Sequence, residues 1–422
     1  MNNYFQRFDH LKRQQDFSIR GRIALVDADL LDAGTRHPNL VIMKISGYLK
    51  SQGCEVHLIE DYSELYIRDV TLLNIGDENF DRYAKAKEYD AIYISKVFDF
   101  TDIDYGLLEL PHVFIGGTGF FFDQSPRLPE EIEHHMPDYH IYEDYIDHDN
   151  RKNKKTWYKD YLDYSIGFAT RGCFRQCDFC VNHACTKVEF HSHISEWLDP
   201  NRKYIYLWDD NFFGYAQWRE VFEELKATGK QFQFRQGLDI RLLTAEKAIA
   251  LNECKYHGDY IFAFDHIEDA PIMQKKLALW REHCDKPTKL YVLAGFDGLD
   301  EKEVVSVFER VRILLSFGCL PYIMRHENYL NSPYRGMFVQ LARWCNQPQF
   351  LKKLSFREFI EQCQKYHKSE GMCAPMRAMT EFESKFPEIA KEYFDIKYLE
   401  QPYVIDWKKR HETERRKGKN SK

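Results

Sequence analysis

Short apolar runs separated by helix-length stretches recur from Arg22 to Met324, and this alternation restricts the chain to an α/β architecture built on parallel strands. A parallel neighbour needs a crossover of roughly a dozen residues, and a helix is the usual one. The first group of runs is Arg22–Asp27, Glu55–Glu60, Ala91–Ser95 and His112–Gly117. A helix is expected from Pro38 to Lys50, with Gly53 closing it. That order predicts a doubly wound parallel sheet, and Gly116, Gly117 and Gly119, just after a strand, mark a tight turn or a close backbone approach.

A second group follows at Ser165–Ala169, Tyr204–Trp208, Gln231–Arg235, Tyr260–Phe264, Lys289–Leu293 and Leu320–Met324, with helical spacing between them, as at Trp218–Thr228 and Glu301–Ser316. Six β/α units of this length suit a partial (β/α)6 barrel, where chemistry gathers at the C-terminal ends of the strands. Those ends are polar: Asp209-Asp210-Asn211, Gln236 to Arg241, Asp265-His266, Gly295 and Arg325-His326-Glu327. After Glu327 the alternation stops, and an aromatic, charge-rich stretch with helical spacing follows. The expected division is therefore 20–150 for the first domain, 160–330 for the barrel, 331–407 for a small helical extension, and 408–422 for a basic, disordered tail. The polar stretch Asp147–Lys155 reads as the linker.

Within the second group, Cys173, Cys177 and Cys180 form a C-x3-C-x2-C run. Three thiolates fit a [4Fe–4S] cube, whose fourth iron is left open, better than a structural zinc, which takes four closed ligands. His183 and Cys185 stand near enough in sequence to complete a zinc site, so that alternative stays open at this point. The chain has 11 cysteines, an odd number scattered along its length, which suits reduced thiols and metal work rather than a disulfide framework. Cys345, Cys363 and Cys373 are spaced too unevenly for a second cluster and read as buried thiols.

At these residues the chain resembles the radical S-adenosylmethionine (SAM) superfamily, whose signature is this C-x3-C-x2-C with an aromatic, here Phe179, before the last cysteine. The approach Thr170-Arg171-Gly172 and the ending Asp178-Phe179-Cys180 resemble the branch with an N-terminal cobalamin-binding-type domain, and the similarity runs from about Arg22 to about Glu327. The resemblance implies that Cys173, Cys177 and Cys180 hold the cluster and that Phe179 covers the adenine of SAM. It further implies that Asp209 and Asp210 pair with the SAM ammonium, that Gln236, Asp239 and Arg241 hold ribose and carboxylate, and that Gly295 lets the backbone approach the adenine. Residue by residue, Asp210 or Asn211 could equally cap a helix, Asp239 and Arg241 could pair with each other, and Phe179 could be core.

The family's cobalt-ligating Asp-x-His-x-x-Gly is absent: after Asp27, Asp29 stands where the histidine would. Cobalamin is carried as a candidate cofactor against that departure. The activity implied is reductive cleavage of SAM to methionine and a 5′-deoxyadenosyl radical, which takes hydrogen from a substrate the sequence does not name, for methyl transfer or another modification; a flavodoxin- or ferredoxin-like protein would supply the electron. The competing reading is a non-catalytic iron–sulfur or zinc protein or redox sensor, associated with nucleic acid through the tail Lys408–Lys422. A net charge of −7 gives no global nucleic-acid footprint. The absence of an apolar run of about 18 residues or of a signal-peptide core leads to the expectation of a cytoplasmic protein without a membrane span.

Overall fold

The computed structural model describes residues 5–68, 80–183 and 185–420. The chain divides into two compact units, one formed by 1–208 with 223–231 and the other by 209–222 with 232–422. In the first unit, strands β1 (Arg22–Asp27), β2 (Glu55–Leu58), β3 (Ala91–Ser95) and β4 (Val113–Gly116) form a parallel sheet in the order β2-β1-β3-β4. Both faces are covered. Ala24, Val26, Ile92, Ile94, Val113 and Ile115 pack into one apolar cluster, and Ile23, Leu25, Ala91, Tyr93 and Phe114 into another. Burial on both faces is why the strands read as unbroken apolar runs.

The helix Leu40–Ser51 starts where the Asn39 side chain accepts the amides of Val41 at 3.1 Å and Ile42 at 3.4 Å. It ends before Gly53, whose φ of 81° supplies the left-handed residue that a helix exit favours. Asp147–Lys155, expected as a linker, is held within this unit. His148 pairs with Glu60 at 2.7 Å, and the Arg151 guanidinium lies 4.4 Å from the Trp157 ring centroid.

Further along the same unit, β5 (Tyr164–Gly167) and β8 (Tyr204–Leu207) pair in parallel. Between them β6 (Thr170–Arg171) and β7 (Glu189–Phe190) form a short antiparallel ladder. The second unit holds β9 (Gln231–Phe234) from Phe232 onward and a parallel sheet of β10 (Tyr260–Ala263), β11 (Thr288–Ala294) and β12 (Leu320–Arg325). Helices Ala270–His283 and Glu301–Ser316 are its crossovers, the latter capped by Asp300 on the amides of Lys302 and Glu303. Phe212, Phe213 and Trp218 are buried with Phe222, Phe232 and Phe234 in an aromatic core.

Helices Arg335–Cys345, Phe356–Lys365 and Ala374–Lys385 follow within the same unit, with Cys345 and Cys373 buried and Cys363 half-buried. The final helix runs from Pro402 to Asn420, in place of the disorder expected beyond Lys408. Proline at a first helical position and a run of Lys, Arg and Glu, all good helix formers, account for the difference. Among the described residues no helix is long and apolar enough to cross a membrane.

Candidate functional site: a cysteine hairpin

The three cysteines lie on a loop whose feet are tied together. Thr170 is opposite Phe190 and Arg171 opposite Glu189, and below them the His191 amide donates to the Ala169 carbonyl at 2.8 Å. The Gly172 backbone, with φ of 91°, passes so close to the Lys187 carbonyl that a β-carbon there would collide with it. Cys173, Cys177 and Cys180 are all half-buried. The Arg175 amide points at the Cys173 sulfur and the Asn182 amide at the Cys180 sulfur, each at 3.4 Å, and the Cys180 amide bonds to the Cys177 carbonyl at 2.9 Å. Amide hydrogens facing sulfur bear on the potential of any cluster held there. Phe179 is half-buried inside the last turn.

Both non-glycine residues with positive φ among those described belong to this neighbourhood. Gln176, at 52°, lies inside the C-x3-C segment, and Phe122, at 50°, has its ring 5.8 Å from that of His183. Such backbone costs on the order of 1–3 kcal/mol per residue and collects at functional sites. His183 itself is engaged by the protein, Nδ1 at 3.0 Å from the Cys180 carbonyl and Nε2 at 3.3 Å from Asp123. With both ring nitrogens so placed, His183 does not suit the fourth-ligand role that the sequence left open.

A partly buried charge network underlies the hairpin. Lys44 reaches Glu133 at 2.7 Å, Glu133 lies 3.2 Å from His191 Nε2, and His191 is stacked on His134, which pairs with Glu196 at 2.7 Å. Burial alone would raise the Glu133 carboxyl, but hydrogen bonds from His191 and Lys44 and the lysine charge hold it down to about 2. Burial pulls the Lys44 ammonium down, against the attraction of Glu133. Nothing in the sequence pattern singled these residues out, because Lys44, Glu133 and His191 come from three distant segments.

At the C-terminal edge of the first sheet, Asp29 is buried and accepts the amides of Val97 at 2.7 Å and Phe98 at 3.3 Å together with the Thr101 hydroxyl. The carboxylate in the place of a cobalt-ligating histidine is thus committed to holding the β3 loop, and no cobalt ligand is provided at that position. The glycine turn after β4 makes the close approach foreseen for it, to the protein itself: a β-carbon on Gly117 would meet the Lys96 carbonyl. Asp27 is also buried, accepting the Tyr142 hydroxyl at 2.8 Å and the Leu30 amide at 3.3 Å. Desolvation, opposed by the Tyr142 hydrogen bond and aided by the Asp29 charge, pushes its carboxyl up to about 7.

The remaining sequence-selected residues belong to the second unit. Asp209 is buried, Asp210 half-buried and Gln236 exposed. Asn211 precedes the short turn Phe212–Gly214 and makes no side-chain cap bond to it. Arg241 directs Nε and one terminal nitrogen to Asp239, at 2.8 and 3.2 Å, and the other to Asp269 at 2.7 Å, so its fork engages carboxylates of the chain itself. These two partners raise the guanidinium above its ordinary value despite its burial. Gly295, with φ of 74°, admits Tyr329, whose β-carbon would lie 2.7 Å from a β-carbon placed on the glycine, and its amide donates to Glu303 at 3.1 Å.

No protein-family model matches the sequence, and no curated protein matches it. Among solved structures, the radical S-adenosylmethionine methyltransferase TsrM from Kitasatospora setae, with cobalamin and a [4Fe–4S] cluster bound, superposes at a TM-score of 0.45 with 13% identity, over 73% of this chain and 75% of that one. The same enzyme with its tryptophan substrate and a SAM analogue gives a TM-score of 0.45 with 12% identity, over 72% of each chain.

Proposed function

We propose that the protein is a radical SAM enzyme in which Cys173, Cys177 and Cys180 hold a [4Fe–4S] cluster. The observation that carries the reading is the hairpin: three half-buried thiols on one loop with tied feet, two of their sulfurs facing backbone amides. The donor set fits a cluster that leaves one iron to a ligand: Cys173, Cys177 and Cys180 supply three sulfurs and His183 is engaged elsewhere, while Cys185, a fourth half-buried thiol on the loop, is the residue through which a zinc site would compete. When bound, such a cluster supplies the electron that cleaves SAM into methionine and a 5′-deoxyadenosyl radical able to take hydrogen from a substrate, with an external one-electron reductant restoring it.

The chain's own part is placement and electrostatics. The Arg175 and Asn182 amides face the sulfurs of Cys173 and Cys180, Gly172 sets the entry of the loop, and the Lys44–Glu133–His191 network fixes its exit. The resemblance in sequence assigns contacts with SAM to Phe179, Asp209, Asp210, Gln236, Asp239 and Gly295. The proposal keeps all of them but Gly295, whose close approach Tyr329 takes up, with Arg241 positioning Asp239. No step is assigned to cobalamin, because Asp29 is spent on the loop after β3.

The test is anaerobic reconstitution with iron and sulfide, followed by SAM and dithionite, reading 5′-deoxyadenosine beside Cys177→Ala. Deoxyadenosine from the wild type alone supports the proposal. A full four-iron cluster with neither SAM binding nor deoxyadenosine would overturn it in favour of a redox sensor, and stoichiometric zinc on the thiols in favour of a structural metal site.

A further inference from the structure

His266, Glu268 and Asp297 offer ligand atoms that all lie within 4.8 Å of one another, with His266 Nδ1 2.8 Å from Asp297 Oδ2. They come from different crossovers: His266 and Glu268 follow β10, and Asp297 follows β11. The parallel pairing that sets Ala263 opposite Tyr291 brings the two strand ends together. In parallel α/β sheets this carboxyl edge is where ligands bind.

We propose that this trio is a binding site for a first-row divalent cation, separate from the cysteine hairpin. Two ligands on one ion at bonds of about 2.0–2.2 Å stand at most about 4.4 Å apart, and with all three ligand atoms within 4.8 Å of one another, a contraction of at most a few tenths of an ångström brings them within reach of one ion. The donor set is one imidazole and two carboxylates, a mixed nitrogen–oxygen set suited to manganese, iron(II) or zinc rather than to the soft ions that thiolates select. Charge favours the same ion. The trio holds two carboxylates, and among the described residues no lysine or arginine pairs with Glu268 or Asp297 within 4.0 Å, whereas the adjacent Asp269 has Arg241.

The backbone that carries the ligands is pinned from beneath. The guanidinium of Arg310, fully buried, donates to the carbonyls of Asp265 and Leu293, the latter at 2.7 Å, and to Glu303 at 3.3 Å. Asp265 in turn accepts the Leu293 amide at 3.2 Å, tying the β10 exit to β11. Three protein ligands leave further coordination positions open to water or to an oxygen of a small ligand, as in metal sites that act rather than merely brace.

The test uses the full chain and Mn2+, a hard ion that the cysteine loop does not compete for. Free Mn2+ is titrated by electron paramagnetic resonance against wild type, Glu268→Gln, Asp297→Asn and, as control, Cys177→Ala. The expected result is one Mn2+ per chain in the wild type and in Cys177→Ala, with affinity lowered on the order of tenfold or more in each carboxylate variant. Both carboxylates are exposed, so the variants should keep the wild-type circular dichroism. Absence of stoichiometric Mn2+ binding by the wild type, or equal affinity in Asp297→Asn, would overturn the proposal. The readout needs neither cluster nor SAM, so its failure is distinct from failure of the enzyme assignment.

Discussion

Asp27→Asn should stabilise the protein at neutral and higher pH and cost it about 1 kcal/mol in acid. The carboxyl is buried beneath Tyr142 and raised from 3.8 to about 7. A carboxyl whose folded pKa is raised binds more protons folded than unfolded. Its folding free energy is therefore unpenalised below about 3.8, worsens as pH rises, and levels off above about 7. At about 1.4 kcal/mol for each pH unit the full penalty is about 4 kcal/mol. Asparagine has the shape of the protonated acid and escapes the penalty, while the reversed sense of one hydrogen bond to Tyr142 costs about 1 kcal/mol at every pH. The pH dependence is therefore the diagnostic quantity. Between pH 5 and pH 8 the stability of the variant relative to wild type should rise by about 2.5 kcal/mol, worked from the two pKa values by linkage. Urea unfolding of both proteins at half-unit pH intervals measures it. A difference that stays flat across that range would show that Asp27 ionises normally and that the buried position is hydrated.

Gly172→Ala sets a β-carbon against the Lys187 carbonyl at a φ of 91°, whereas Gly229→Ala, at 69° with open space around it, meets nothing. The first should cost on the order of 1–3 kcal/mol locally and lower the iron retained after reconstitution, the second about 1 kcal/mol without loss of iron; equal iron in both would remove Gly172 from the account of the hairpin. Arg310→Leu strands the buried Glu303 carboxylate and should destabilise by about 3–5 kcal/mol, of which Arg310→Leu/Glu303→Gln should recover a large part. Thermal unfolding of the single and double variants decides it, and no recovery would place the loss in the carbonyl contacts to Asp265 and Leu293 instead.

Much of the fold was legible because burial on both faces leaves parallel strands as clean apolar runs. Arg22–Asp27 and Ala91–Ser95 coincide with the structure residue for residue, and the helix Glu301–Ser316 does so because Asp300 caps it and its apolar spacing is regular. The edge strand β2 stops at Leu58, two residues earlier than its apolar run suggests. Of the candidate site, the cysteine run is local and could be read directly. His266 was visible as a polar strand end, but its partner Asp297 was not, since only the parallel register of β10 with β11 brings the two together. Lys44, Glu133 and His191 were illegible for the same reason: each is unremarkable in its own segment, and their meaning lies in contacts across long sequence separations.

Three positions invited a cofactor on sequence grounds, and at each the protein supplies the occupant. Lys96 fills the approach that Gly117 permits, Tyr329 the one that Gly295 permits, and the loop amides of Val97 and Phe98 consume Asp29. A glycine or a carboxylate at a strand end is required equally by internal packing and by a ligand, so these residues discriminate weakly between the two. The hairpin discriminates better. Its antiparallel feet and left-handed Gln176 cost conformational freedom or strain, and in an inert loop the amides turned toward the sulfurs of Cys173 and Cys180 would gain only weak acceptors. A thiolate-bound cluster would gain, because each amide hydrogen stabilises the charge that the bound sulfur carries. That asymmetry is why the functional reading rests on the cysteine loop.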